Sequence, residues 1–252
     1  MTTHRPLEGR VAFVTGATSG LGQRFAIILA EAGARVVISG RRQDRLAALA
    51  DEIAANGGTA VPLVLDVTDP AAVQAAVAEA EARVGPLWLL VNNSGVSATG
   101  PAETMTEGDY DFVMDTNVKG SYFMAQAAGR AMLPRKEGRI INVASLLGVR
   151  VLGQLSLYAM SKAAVIQMTK ALALEWARHG INVNAICPGY IETEMNSDYF
   201  RSDNGQAFMK RFPRRRIGQP EDLDGMLMTL ADPASRFTTG AIISVDDGQQ
   251  FM

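Results

Sequence analysis

Tyr158 and Lys162 are the first residues in this chain whose types and spacing could do chemistry. They stand at i and i+4 in Tyr158-Ala-Met-Ser-Lys162, at the start of an Ala-rich stretch of helical period, so both side chains share one face. A free phenol has a pKa near ~10 and carries protons poorly at neutral pH. A neighbouring ammonium favours the phenolate and draws that pKa toward the working range. The spacing is also common on ordinary helix surfaces, so the pair alone specifies no reaction. A second candidate is the turn Thr15-Gly16-Ala-Thr-Ser-Gly20-Leu-Gly22. Glycines between a strand and a helix let the backbone approach a pyrophosphate, and the helix N-terminus offers free N–H groups and a positive dipole end. Tight packing would also explain three glycines, and their spacing is GxxxGxG rather than GxGxxG. The strand before and the helix after favour the nucleotide.

The end of the next strand bears on which nucleotide. An acid there holds a ribose 2′-hydroxyl, whereas an arginine accepts a 2′-phosphate. The chain reads Val37-Ile38-Ser39-Gly40-Arg41-Arg42, with no carboxylate before Asp44. Arginines at a helix N-terminus sit at the unfavourable end of its dipole unless an anion docks between them. Arg41 and Arg42 therefore point to NADP rather than NAD. NAD stays open as the second choice, since two solvated surface arginines are the plain alternative.

The elements that must position these residues alternate in type. Short runs rich in β-branched residues at 11–15, 35–39, 60–65, 87–91, 139–144, 181–186 and 241–245 read as strands. Helical patterns lie between them at 21–32, 43–55, 70–84 (with Asp69 as N-cap), 106–133, 158 to about 178, and 220–230. Strands each followed by a helix predict βαβ units and a parallel sheet, and near-continuous apolar strands predict burial on both faces of a doubly wound α/β fold. Residues 188–218 form the longest irregular region, and loops of that length in a compact domain serve as lids or binding loops, or else are disordered. No repeat or linker divides the chain, so residues 1–252 are expected to form one domain.

Composition excludes other classes. The 252 residues are 48% hydrophobic and 20% charged, with 24 Lys and Arg against 26 Asp and Glu and a net charge of −2. That balance gives no general attraction to nucleic acid or to an anionic membrane surface. No apolar run approaches the ~20 residues that span a bilayer, and the opening MTTHRPLEGR lacks a signal-peptide core. The single cysteine, Cys187, fits a reducing compartment, so a soluble cytoplasmic protein is expected. His4 and His179 are isolated, and with the one cysteine they give no zinc-ligand spacing.

Taken in order, the 15–22 turn, Asp66, Asn92-Asn93-Ser94-Gly95, Asn117, Ser145, Tyr158, Lys162 and Pro188-Gly189 resemble the short-chain dehydrogenase/reductase family, in its single-domain branch. The likeness runs from Gly9 to Thr239-Gly240 and Val245-Asp246-Asp247-Gly248 near the C-terminus. It implies a three-layer Rossmann fold around a parallel seven-stranded sheet. It also implies a nicotinamide cofactor that carries the hydride and a small carbonyl or alcohol substrate. Tyr158 would then be general acid in reduction and general base in oxidation. Lys162 would bond the nicotinamide ribose and lower the tyrosine pKa, and Ser145 would hold the substrate oxygen. Asn117 would anchor a water linking Lys162 to solvent, Asp66 would meet the adenine, Asn93 and Gly95 would line the cofactor channel, and Thr193 would contact the carboxamide. The resemblance extends cofactor contacts to Gly16, Thr18, Ser19, Gly20, Leu21, Gly22, Val67, Ser94, Pro188, Gly189 and Ile191. Two positions depart from the family pattern: Ser94 replaces the usual alanine, and Met160 stands where a small residue is common. Neither removes a reacting group, so both are expected to affect packing or substrate shape.

On the substrate side, Leu146, Leu147, Val149, Leu152 and Leu155 could form an apolar pocket under a lid with Tyr190, Ile191, Met195, Tyr199, Phe200, Phe208 and Phe212. About half of these are expected simply to pack the loop onto the domain. The basic run 210–216 could attract an anionic tail such as a phosphopantetheine carrier, though such runs more often stay solvated or pair with acids. The reading is therefore an NADP-dependent enzyme interconverting a ketone and a secondary alcohol. A 3-oxoacyl thioester reductase or a sugar or polyol dehydrogenase is the nearest alternative, and a non-catalytic NADP sensor belongs to a different class. A nucleotide-sugar epimerase using the same Tyr and Lys resembles longer chains with an added substrate domain. The resemblance also implies a homotetramer assembled through the helices at 106–133 and 158–178 and the last strand.

Overall fold

The computed structural model describes residues 5–194 and 196–252, so His4 and Met195 lie outside the described residues. Its elements follow the alternation expected from the sequence. Strand β1 (Val11–Val14) leads through the glycine turn to helix α1 (Gly20–Glu31). Then come β2 (Arg35–Gly40), α2 (Gln43–Ala55), β3 (Thr59–Val64), α3 (Pro70–Arg83) and β4 (Leu87–Asn92). The second half holds α4 (Glu107–Met114), α5 (Ser121–Met132), β5 (Gly138–Val143), α6 (Ser156–Trp176) and β6 (Ile181–Pro188). Short helices α7 (Ser197–Arg201) and α8 (Asp203–Met209), then α9 (Asp224–Ala231) and β7 (Ile242–Val245), complete it.

All seven strands pair in parallel, in the order β3-β2-β1-β4-β5-β6-β7. Because side chains alternate along a strand, successive residues supply opposite layers. Ala12, Val14, Val36, Ile38, Leu89 and Val91 face α1, α2 and α9, packing on Phe25, Leu29, Leu46 and Leu227. Val11, Phe13, Val37, Leu87, Leu90 and Ile140 face α3, α5 and α6, packing on Val77, Met124, Ala128 and Leu172. The chain direction across the sheet reverses between β1 and β4, and in such sheets the ligand crevice opens at the carboxyl ends of the strands flanking that point. The turn after β1 and the Asn92–Gly95 stretch after β4 both lie there.

Several boundaries differ from the sequence expectation, each for a local reason. The stretch expected as one helix over 106–133 is two helices joined by a π-turn at Asp115–Gly120. Thr106 caps α4 through a reciprocal pair with Asp109, and the wider turn rotates Asn117 into the interior. The helix expected at 220–230 starts with a 3-10 turn at Pro220–Leu223 before α9. Residues 188–218, expected to be irregular, contain α7 and α8; Ser202 caps α8 through the Gly205 N–H. Asp69 caps α3 as expected, accepting from Ala71 and Ala72 N–H. No described helix is long and apolar enough to cross a membrane.

Candidate active site

The two turns that border the crevice are fastened to each other. The hydroxyl oxygen of Thr15 accepts the backbone N–H groups of both Asn93 (2.9 Å) and Ser94 (3.0 Å). The Asn93 side-chain amide donates to the carbonyls of Thr15 (3.0 Å) and Gly16 (3.2 Å). A Cβ on Gly22 would lie 2.2 Å from the Gly16 carbonyl oxygen, so only glycine fits there. Ser94, one of the two departures from the family pattern, packs its Cα and hydroxyl against Gly16. Ser19 stands at the N-cap of α1 without capping it, and the first turn carries no acid. The end of α1 is thus left with uncapped N–H groups and its positive dipole, which suits a pyrophosphate.

Ser19 makes its bond elsewhere. Arg42 donates to the Ser19 hydroxyl (2.9 Å) and, through Nε and Nη2, to the Thr18 hydroxyl (3.1 and 2.6 Å). A guanidinium is therefore mounted on the glycine turn itself, where β2 ends without a carboxylate. Arg41 lies 4.0 Å from Asp66. Asp66 accepts from the backbone and hydroxyl of Thr68, and these bonds, with Arg41, hold its carboxyl below the usual range. Val67 packs against Gly120 at the end of the π-turn. From the lid, the Thr193 methyl reaches the glycine turn, 3.2 Å from where a Gly20 Cβ would stand. Ile191 is buried and bridged to Gly218, and the Gly189 N–H bonds the Val245 carbonyl, tying the strand end Pro188-Gly189 to β7.

The residues expected to react meet where β4, β5 and α6 converge. Gly95 joins them to the crevice, since a Cβ on it would sit 3.3 Å from Lys162 Nζ and 3.4 Å from Asn117 Oδ1. Asn117 is fully buried; its amide donates to Val96 O and the Ser161 hydroxyl, both at 2.9 Å, and accepts from Val96 N at 2.8 Å. Ser161 in turn donates to the Tyr158 carbonyl at 2.7 Å. Asn117 thereby clamps the first turn of α6 to the loop after β4. Ser145 stands two residues past the end of β5, only 8% exposed, with its hydroxyl accepting from Leu147 N.

Lys162 is only 4% exposed. It donates to the Val143 carbonyl at 2.9 Å, and burial lowers its pKa from 10.5 to about 8. Its Nζ lies 5.7 Å from the Tyr158 ring centroid. The sequence leads one to expect the lysine to depress the tyrosine pKa. In this structure burial holds Tyr158 above its ordinary value, and only the neighbouring Ser145 hydroxyl pulls it back. The physical reason is that the ammonium points to Val143 rather than to the phenol. Beneath them Cys187 is fully buried, its thiol pushed up to about 11 by burial, so it is a neutral packing group.

The substrate side divides in the way the sequence suggests. Leu146, Leu147, Ile191, Phe200 and Phe212 are buried and hold the lid down. Tyr190 is their hub, stacked on Phe212 at 5.2 Å and edge-on to Phe200 and Phe208. Val149, Leu152 and Tyr199 stay exposed. Burial raises Tyr190, whose hydroxyl feels the charges of Arg150 and Arg211. The guanidinium of Arg150 is anchored on the Gln249 carbonyl. In the basic run, Arg214 pairs with Asp247 (3.0 Å) and Arg216 with Asp222 (2.6 Å).

Some participants give no sequence signal. Thr15 reads as the end of a strand, yet it is the fastener of the crevice. Val143 acts through its backbone, which no motif records. Arg45 and Glu194, 149 residues apart, form a double hydrogen bond at 2.7 and 2.9 Å beside Arg42. Only the fold brings such a pair together.

Comparison with known proteins matches this geometry. The model of the short chain dehydrogenase family covers residues 10–204. Gluconate 5-dehydrogenase of Gluconobacter oxydans is 38% identical, over 96% of this chain and 95% of that protein. Galactitol 2-dehydrogenase (L-tagatose-forming) of Cereibacter sphaeroides is 40% identical over the same shares. The crystal structure of a gluconate 5-dehydrogenase from Burkholderia cenocepacia, in complex with NADP and tartrate, superposes with a TM-score of 0.94 at 38% identity, over 99% of this chain and 98% of that one. A parallel sheet whose switch point carries the glycine turn, with a half-buried Tyr158 and a buried Lys162 and Ser145 beside it, thus belongs to a member of the short-chain dehydrogenase family of oxidoreductases.

Proposed function

We propose that the protein interconverts a ketone and a secondary alcohol on a polyhydroxylated small molecule, with NADP(H) as cofactor and Tyr158 as proton carrier. The observation that supports this best is one continuous bonded path. Arg42 sits on Thr18 and Ser19 of the glycine turn, Thr15 at the head of that turn binds Asn93 and Ser94, and Gly95 abuts Lys162. A phosphate-reading cation and a proton-handling group thus share one rigid crevice.

When bound, the nicotinamide supplies the hydride in reduction and takes it in oxidation. The chain's own residues do the rest. Ser145 holds the substrate oxygen beside the phenol, whose pKa it lowers. A Tyr158 that burial keeps protonated gives its proton to that oxygen as the carbonyl becomes an alcohol, and takes it back in the reverse direction. Lys162 keeps a cation, or near pH 8 a neutral amine, next to that proton. Asn117 is a positioning residue, holding the start of α6 through Ser161. Arg41 and Arg42 take the 2′-phosphate.

Gluconate and galactitol in the names of the two relatives support a sugar acid or polyol as substrate. So does Arg150, a cation beside Tyr190 able to meet a carboxylate. The thioester alternative is served less well, because Arg214 and Arg216 are already neutralised by this chain's own acids. We read the protein as a cytoplasmic homotetramer. Supporting this, Tyr110, Phe112 and Tyr122 on α4 and α5, Leu174 on α6, and Phe237 and Phe251 near the C-terminus are exposed apolar groups.

The test is a panel of sugar acids, polyols and simple ketones with NADP(H) and NAD(H), followed at the nicotinamide absorbance. NADP(H) with a polyhydroxylated substrate should give the highest kcat/KM. Tyr158→Phe should lower kcat by about 10²–10⁴-fold with nucleotide affinity nearly intact. Binding without turnover on any member of the panel would favour the sensor instead.

A further inference from the structure

The pair that sequence does not reveal, Arg45 and Glu194, lies beside the arginine assigned to the 2′-phosphate. Glu194 Oε2 is 2.7 Å from Arg45 Nη1 and 3.9 Å from Arg42 Nη1. The two guanidinium groups hold its carboxyl below the usual range. Glu194 is delivered there by its neighbour Thr193, whose methyl packs over Gly20. Thus one carboxylate, carried by the lid, partly neutralises Arg42, one of the two cations that read the phosphate. Arg42 keeps its other arm on Thr18 and Ser19, so its position does not depend on Glu194.

We propose that Glu194 is an internal competitor of the cofactor's 2′-phosphate and weakens the protein's preference for phosphorylated nucleotide. The inference rests on the assignment of Arg41 and Arg42 to that phosphate. A dianionic 2′-phosphate approaching Arg42 meets Glu194 on the same guanidinium, and the like charges oppose each other. A nucleotide with a plain 2′-hydroxyl brings no such charge and leaves the Arg45–Glu194 pair in place. Glu194 therefore acts on the difference between the two nucleotides, and it touches neither Tyr158 nor the reacting atoms.

The experiment compares wild type with Glu194→Gln by fluorescence or calorimetric titration, using NADPH, NADH, adenosine 2′,5′-bisphosphate and adenosine 5′-monophosphate. Glu194→Gln should tighten NADPH and the bisphosphate by about three- to fivefold, the size expected for an exposed ion pair, while NADH and the monophosphate change less than about twofold. An equal change in all four ligands would show a general effect of the lid and overturn the proposal. So would weaker NADPH binding, which would make Glu194 a clasp over the bound nucleotide. The wild-type ratio of NADPH to NADH affinity judges the cofactor assignment separately. A wild type that prefers NADH defeats that assignment, while the bisphosphate-to-monophosphate comparison still reports on Glu194.

Discussion

The ammonium of Lys162 is held 2.9 Å from the backbone carbonyl of Val143, inside the protein and away from any carboxylate hydrogen bond. A carbonyl dipole compensates only part of the desolvation of a buried cation, and the lowered pKa of about 8 records the remainder. The position thus favours function at the expense of stability.

Lys162→Met should therefore abolish turnover while raising stability, by about 1–3 kcal/mol at pH 7 once the unpaired Val143 carbonyl is allowed for. The sign follows from linkage. Between about 8 and 10.5 the unfolded chain holds a proton at Lys162 that the folded chain has released, so wild-type stability rises with pH across that window. The advantage of the methionine variant is then full below pH 8 and fades as pH climbs toward 10.5. Urea unfolding at pH 7 and pH 10 measures both; a variant less stable than wild type at pH 7 would contradict the reading.

The rate should depend on pH in opposite senses for the two directions. Alcohol oxidation needs Tyr158 to accept a proton, and loss of the Lys162 proton near 8 gives that proton an outlet. Oxidation kcat should climb through pH 8, and ketone reduction should decline as Lys162 loses the proton that would resupply the phenol. Initial rates from pH 6 to 10 in both directions check this, and parallel profiles would refute it.

Asn117→Ala should be costly in two ways. It leaves the half-buried Val96 N–H and carbonyl without their partner, which destabilises by about 1–3 kcal/mol. It also frees Ser161 and the first turn of α6, so kcat should drop more than KM changes. Asn117→Asp retains an acceptor for the Val96 N–H but turns an oxygen toward the Val96 carbonyl, so it should not restore wild-type stability. Thermal unfolding and steady-state kinetics together separate the two effects.

Arg42→Ala should weaken NADPH by about tenfold or more, the loss of a charge-assisted bond of 1.5–3 kcal/mol, and barely alter NADH. Direct titration of both nucleotides decides the matter. A similar loss for the two would move the phosphate contact elsewhere.

The architecture was legible because period and punctuation agree along most of the chain. Gly33, Gly57-Gly58 and Pro70 mark helix ends and starts where the structure has them. The π-turn at Asn117 was not legible: Asp115–Gly120 has no proline, and its widening is set by the bonds of one amide to Val96. The small helices α7 and α8 were hidden because residues 188–218 mix aromatics with turn formers, and their helical state rests on packing around Tyr190. At the site, side-chain types and spacing gave Tyr158, Lys162 and the arginines, and the family resemblance gave Ser145. The direction of the lysine, toward Val143, and the contact of Glu194 with Arg45 arise from tertiary folding, for which composition and spacing carry no mark.

One hydroxyl oxygen, on Thr15, receives the chain after β4 at two successive peptide groups. The gap between the two walls of the nucleotide slot is consequently gauged by this oxygen together with the Asn93 amide that bonds back to Thr15 and Gly16. Thr15→Val, equal in shape but without that oxygen, would loosen both walls together, so this threonine governs how narrowly the slot is machined for whatever dinucleotide enters it.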